Sequence, residues 1–421
     1  MGEERIEIHG GKVLEGEVSL SGAKNAALPM IVVACIGHEP TVLENVPTQL
    51  NDIRVQIELL QRMGAAIEVK GSTVRCSRGD LDSGKAPADL VGRVRSSLLL
   101  LGLYAGLKKE VFLPHPGGDK IGDRKHDLHL MGLQRLGAHV EELSDGIYVK
   151  STGLVGSEID FYLPSTTGTE NIMIAGTFAQ GSTILRNANT RPEVVQLGDL
   201  LVAMGARIKI HSRVIEMEGV DSLQGGARVR VLSGWDEAVT YIAAASLTRG
   251  EIVVNDFDLD HVREETRYLR DAGVELFEWR GNVYVSGKQT QRPFDLFTAP
   301  YPGVNSDMQP IFAALALTIP GTSTITDLRF TDRFQYVEEL RRFGGDIQSF
   351  GNTAIVRGGH PLKGVQVRAP DIRGGMACVL AGLVAEGQTT ITNVYQIERG
   401  YENFVDKLSA LGAIIRKVTN D

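Results

Sequence analysis

Cysteine is scarce, with only Cys35, Cys76 and Cys378 among 421 residues. An odd number scattered that widely builds no disulfide framework and points to a reducing, cytoplasmic setting. Zinc-type spacings, a P-loop and a dinucleotide fingerprint are missing as well, so no metal or other cofactor is implied. The chain also lacks net positive charge. A formal −8 argues against nucleic-acid or membrane-surface binding by bulk charge, although a local arginine cluster can still hold a small anion. The longest apolar run, residues 98–107, falls short of the roughly 18 residues of a membrane span and reads as a buried helix. Residues 1–7 are mostly charged, so neither a secretion signal nor membrane insertion is expected. With 43% hydrophobic and 23% charged residues, disorder and coiled coil are disfavoured, and the length allows two or more domains.

What is present is repetition. Leu60-Gln-Arg-Met-Gly64 recurs as Leu133-Gln-Arg-Leu-Gly137, Leu201-Val-Ala-Met-Gly205, Leu269-Arg-Asp-Ala-Gly273, Leu340-Arg-Arg-Phe-Gly344 and Leu408-Ser-Ala-Leu-Gly412. The glycines lie 73, 68, 68, 71 and 68 residues apart. Each sits just past an amphipathic helix, where a residue of positive φ is wanted. A hairpin pattern follows the first five copies, and a strand rich in β-branched residues precedes the last four. Every unit adds a second helix that is apolar nearly all round, at 24–36, 95–105, 169–179, 237–247, 307–317 and 372–385. Such helices belong inside. Six β-α-β-α-β-β units therefore suggest two α/β domains of three units each, 22–231 and 1–21 plus 232–421, with the N-terminal strand completing the second and a cleft between them as the natural site.

Chemistry is expected where the repeat departs from itself toward polar residues at element ends. Lys24 and Asn25 open the first buried helix, Arg95 the second, Ser165 and Thr166 the third, Asp307 the fifth, and Asp371 with Arg373 the sixth. A cation in a helix's first turn opposes the macrodipole, so an anionic partner is expected beside Lys24. Loops before the outer helices add Asp119, Lys120, Arg124, Lys125, His126, Asp127, Arg333 and Arg399. Arg95, Arg124, Arg333, Arg373 and Arg399 would share one cleft if the repeats are equivalent. That many guanidinium groups suit a ligand with a phosphate and a carboxylate.

Ser21-Gly-Ala-Lys-Asn-Ala-Ala-Leu-Pro, Pro116-Gly-Gly-Asp-Lys-Ile-Gly, Ser306-Asp-Met-Gln and Glu398-Arg-Gly-Tyr-Glu lie in order across both halves. Through these motifs, and over its whole length, the chain resembles the enolpyruvyl transferases, most nearly the UDP-N-acetylglucosamine 1-carboxyvinyltransferase family. The resemblance implies two inside-out α/β barrel domains and transfer of the enolpyruvyl group of phosphoenolpyruvate to the 3′-hydroxyl of UDP-N-acetylglucosamine, a step of peptidoglycan synthesis. It implies Lys24, Arg124 and Arg399 on phosphoenolpyruvate, Arg333 and Arg373 as further anion contacts, and Asn25 near the reacting centre. Arg95, Arg124, Lys125, His126, Asp127, Leu128, Ser165, Thr166, Asp307 and Arg329 would hold the nucleotide sugar. Asp307 would be the base, Asp371 a supporting carboxylate and Asp119 the proton donor. Most of the family has cysteine at the Asp119 position, so the resemblance also implies insensitivity to fosfomycin.

Four positions depart from the family pattern. Gly234-Trp-Asp-Glu237 replaces Asp-Arg-Ile-Glu, Arg329 replaces an aliphatic residue, Asn305 a proline and Gln396 a histidine. The alternatives are a paralogue using another nucleotide or shikimate-3-phosphate, or an inactive repeat protein that binds a nucleotide sugar. The lysine- and arginine-rich acceptor motifs of the shikimate enzymes are not evident. Joint presence of Lys24, Asp307, Arg333, Asp371 and Arg399 favours an enzyme.

Overall fold

A computed structural model describes residues 4–81, 84–118, 125–330 and 333–419. Its organisation follows from helices with no polar face to offer water. Lys24–Ala34, Leu99–Gly106, Thr166–Gly176, Trp235–Leu247, Gln309–Thr318 and Ile372–Val384 are buried along nearly their whole lengths. Four of these begin differently from the sequence expectation: the fourth starts at Trp235 rather than 237, and the fifth at Gln309 rather than 307, after the tight turn Ser306–Met308. The third starts at Thr166 rather than 169, because the Ser165 hydroxyl accepts from Gly168 N and caps it. The second is preceded by a tight turn, Arg95–Leu98.

The outer helices Asn51–Arg62, Asp127–Arg135, Pro192–Ala203, Arg263–Asp271, Tyr336–Arg342 and Phe404–Ala410 lie half exposed. After each comes the repeat glycine, with φ between 86° and 109° in all six copies. In five copies the next residue donates back to the helix, as Ala65 N does to Leu60 O and Ala138 N to Leu133 O. These bonds satisfy carbonyls that the helix end would otherwise orphan.

The described residues form six four-stranded sheets, each with one parallel edge strand. That edge strand usually comes from the preceding repeat. The arrangement closes on itself in the first three repeats, where Arg228–Arg230 pairs parallel with Thr41–Glu44. In the other three, Glu15–Ser19 pairs parallel with Glu251–Asn255. The sixth repeat has no second hairpin strand of its own. Glu4–His9 supplies it, lying antiparallel between Gln388–Thr392 and Ile414–Thr419.

The chain divides into two compact units, one holding the residues up to Ser21 and from Ser233 onward, the other those from Gly22 to Leu232. Each has its own hydrophobic core around three buried helices. Each is therefore an inside-out α/β barrel, helices within and sheets around. Packing inside is close. In the Gly22 to Leu232 unit, Gly102 N donates to Asn171 Oδ1 at 2.8 Å, and a Cβ on Gly102 would meet Asn171 O at 2.4 Å. None of the described helices is long and apolar enough to cross a membrane.

Two alanine substitutions separate the two uses of glycine. Gly137→Ala adds no contact within 4 Å and should cost only about 1 kcal/mol, the conformational penalty of a positive φ. Gly102→Ala must push two buried helices apart and should cost about 1–3 kcal/mol. Denaturant unfolding of both variants checks the order; equal losses would count against the packing argument.

Candidate active site

In the Gly22 to Leu232 unit, polar helix starts are tied together one bond at a time. Lys24 opens its helix without a side-chain cap. Its ammonium pairs with Asp52 Oδ2 at 3.0 Å, both side chains being about nine-tenths buried. Asp52 is the anionic partner expected beside Lys24, and it opens the outer helix Asn51–Arg62. One turn further along that helix, Gln56 Oε1 accepts from Ser96 Oγ at 2.6 Å, next to Arg95. Asn25 is half-buried beside Lys24.

Arg95 Nη2 donates to Lys125 O at 3.1 Å, joining the second buried helix to the loop before the outer helix Asp127–Arg135. In that loop His126 Nε2 lies 2.9 Å from Glu142 Oε1. Asp127 Oδ2 accepts from Tyr162 Oη at 2.6 Å, and Leu128 is buried. Tyr162 is three residues before Ser165, whose hydroxyl caps the third helix, while Thr166 Oγ1 accepts from Asn189 Nδ2 at 3.2 Å. The structure thus links Arg95, Lys125, Asp127, Tyr162 and Ser165. The His129 tautomer also follows: Asn171 Nδ2 donates to Nδ1 at 3.0 Å, leaving Nε2 to donate to Thr167 Oγ1 at 3.3 Å.

Beneath this helix start lies Glu170, which is wholly buried. Its Oε1 has no hydrogen-bond partner among the described residues. Burial pushes its carboxyl well above the ordinary range; Glu193 adds to the rise and Arg191 opposes it.

The other unit gathers its charges more tightly. Arg373, 2% exposed, bonds to Asp236 Oδ2 and reaches Asp307 Oδ2 through Nε at 3.4 Å. Its guanidinium lies 4.9 Å from the centre of the Tyr401 ring. Burial opposes this charge, but Asp236, Tyr401 and Asp307 outweigh it and hold Arg373 well above its usual range. Burial likewise pushes Tyr401 up to about 12. The second oxygen of Asp307 takes Arg333 Nη2 at 2.7 Å, leaving Asp307 26% exposed and Arg333 buried. Asp307 is thus clamped by two guanidinium groups from different repeats, yet accessible to a ligand hydroxyl.

Asp371 lies at the start of the Arg373 helix, and its Oδ1 caps that helix, accepting from Arg373 N and Gly374 N at 2.9 Å each. Arg399 is buried, and its Nη1 donates to Gln396 Oε1 at 3.0 Å. Arg329 is exposed, with its guanidinium 5.3 Å from the Phe330 ring centre. Asn305, another departure, accepts from Asp307 N at 2.9 Å through Oδ1 and so fixes the aspartate's backbone.

Asp119 and Arg124 lie outside the described residues. Just before them, Gly117 N donates to Val91 O at 3.0 Å, and a Cβ there would meet Gly92 O at 1.9 Å. Only a glycine fits this close approach to the backbone of Gly92 at the base of the loop. Sequence reasoning missed Asp52, Asp236, Tyr401 and Asp327 as partners of the site. Two of them carried a signal: Asp236 as an acid within the departure at residues 234–237, and Tyr401 as part of the Glu398-Arg-Gly-Tyr-Glu motif.

Residues 8–408 match the family model described as EPSP synthase (3-phosphoshikimate 1-carboxyvinyltransferase). UDP-N-acetylglucosamine 1-carboxyvinyltransferase 1 of Symbiobacterium thermophilum is 41% identical over 99% of this chain and 95% of its own length. The enzyme of the same name from Carboxydothermus hydrogenoformans is 38% identical over 99% of both chains. Among solved structures, the enolpyruvyl transferase NikO from Streptomyces tendae superposes with a TM-score of 0.90 at 26% identity over the full length of both chains. EPSP synthase from Acinetobacter baumannii, at 19% identity and a TM-score of 0.78 over 99% of this chain and 100% of its own, shares the fold.

Glu170 gives this unit a pH signature. Its folded carboxyl titrates above the model-peptide value of 4.5, so the folded state keeps a proton that the unfolded state releases. Stability should fall as pH rises from about 4.5 toward the folded value. Glu170→Gln should remove that slope and raise the melting temperature at pH 8. An unchanged slope in Glu170→Gln would show that Glu170 is not its source.

Proposed function

This chain belongs to the enolpyruvyl transferase family, among the UDP-N-acetylglucosamine 1-carboxyvinyltransferases, and we propose that it transfers the enolpyruvyl group of phosphoenolpyruvate to the 3′-hydroxyl of UDP-N-acetylglucosamine. The observation that carries this reading is near full-length identity of 38–41% with enzymes of that name, joined to an accessible carboxylate clamped by Arg333 and Arg373. Shikimate-3-phosphate as acceptor has less support, since the shikimate enzyme cited above is only 19% identical.

The donor carries a phosphate and a carboxylate, and guanidinium groups bind such oxyanions bidentately. In this reading Lys24, Arg124, Arg333, Arg373 and Arg399 supply that positive charge. Asp119 protonates the methylene carbon of phosphoenolpyruvate while the sugar oxygen attacks the adjacent carbon and gives its proton to Asp307. The tetrahedral adduct then loses a methyl proton and phosphate, which restores the double bond. Asn25 hydrogen-bonds near the reacting carbon. Arg95, Arg124, Lys125, His126, Asp127, Leu128, Ser165, Thr166 and Arg329 hold the nucleotide sugar, while Asp371 holds Arg373. A cytoplasmic setting is supported by three buried, unbridged thiols.

Phosphate release should require phosphoenolpyruvate and UDP-N-acetylglucosamine together. Release with shikimate-3-phosphate instead, or with neither acceptor, would overturn the acceptor assignment. Asp119→Asn should fold normally and lose turnover, whereas Asp119→Cys should keep turnover and gain fosfomycin sensitivity. Full activity in Asp119→Asn would remove this residue from the proton-donor role.

A further inference from the structure

The repeats supply their own controls. Two residues beyond the inward aliphatic of each unit's parallel-paired strand, the first, third and sixth copies carry Asn45, Asn187 and Asn393. Each donates its amide to a backbone carbonyl of the edge strand's end, Val231 O at 3.0 Å, Phe161 O at 2.7 Å and Ala369 O at 2.7 Å. The fourth copy has Asp256, which is exposed, and the fifth has Asp327, opposite Thr298 of its edge strand. A carboxylate cannot donate, so the bond pattern inverts.

Asp327 is buried, 1% exposed. Its Oδ1 accepts from Thr298 Oγ1 at 2.9 Å, Arg329 N at 2.8 Å and Phe330 N at 3.0 Å. Its Oδ2 accepts from Gln309 Nε2 at 2.6 Å and from Ser306 Oγ. Because the Ser306 proton is committed to Asp327, the hydroxyl's lone pairs are free to accept, and Arg333 Nη1 donates to them at 3.1 Å. The other terminal nitrogen of Arg333 holds Asp307 Oδ1 at 2.7 Å. Asp327 thus fixes where the Ser306 proton points, and the hydroxyl in turn gives Arg333, which can only donate, an acceptor beside Asp307.

We infer that Asp327 and Ser306 form a positioning relay that orients Asp307 through Arg333, a specialisation of the fifth repeat for the reaction. The inference rests on Asp307 acting at the acceptor hydroxyl, as proposed above. Neither relay residue touches substrate. Their effect is on the angle of the Asp307 carboxylate, where small displacements cost rate more than binding.

Steady-state kinetics on Ser306→Ala and Asp327→Asn test this. The Asp327→Asn fold should survive, because the Gln309 amide can turn its Oε1, which has no partner among the described residues, toward the new donor. We expect kcat to fall about tenfold in both variants, each KM to stay within about twofold, and Ser306→Thr, which keeps the hydroxyl, to regain most of the loss. A crystal structure of Ser306→Ala should show Arg333 turned away from Asp307. Unchanged kcat, a change in KM alone, a retained 2.7 Å contact in that crystal, or unfolding of both variants would each overturn the relay. Wild-type protein inactive on these substrates would refute the acceptor reading instead, and the crystal structure would still decide the relay.

Discussion

Burying two arginines side by side is the constraint on which the unit containing Asp307 depends. A guanidinium taken out of water costs several kcal/mol unless carboxylates meet it with good geometry. Arg373 comes from the sixth repeat, Arg333 and Asp307 from the fifth, and Asp236 from the fourth. Their junction is possible because each repeat opens its buried helix at the same end of the barrel. Helix burial thus delivers three polar starts to one place, and ion pairing makes that delivery tolerable.

The unit from Gly22 to Leu232 reaches the same end with less charge. Two buried ion pairs, Lys24 with Asp52 and Arg191 with Glu193, are joined by neutral bonds such as Ser96 to Gln56 and Gly102 to Asn171. Neutral bonds demand less exact compensation, because an unmade one leaves no bare charge behind. Glu170 keeps to that rule, as a buried carboxyl driven toward its neutral form. Equivalent repeats have therefore settled into different electrostatics, and their departures from one another carry the chemistry.

Much of this was legible from residue order alone. Repeat glycines with positive φ, apolar helices that must be inside, and an N-terminal strand left over for the sixth sheet all follow from periodicity and backbone sterics, which act over a few residues. The polar helix starts at Lys24, Arg95, Ser165, Asp307 and Asp371 were visible for the same reason, as breaks in a pattern the chain states six times. Their partners were not. Asp52 is 28 positions from Lys24 and Asp236 is 137 from Arg373, and nothing in a linear pattern marks which of 52 acidic residues will meet a given cation.

The sequence by itself determined the architecture and the family, because both rest on local propensities and on motifs a few residues long. Tertiary structure alone decided what each polar residue does: that Asp371 caps a helix, that Asp307 is clamped from two sides, and that Asp327 accepts where the asparagines of three other repeats donate. The physical reason is that a hydrogen bond or ion pair is a property of two groups and the medium between them. Only the packed barrel sets that distance and that burial.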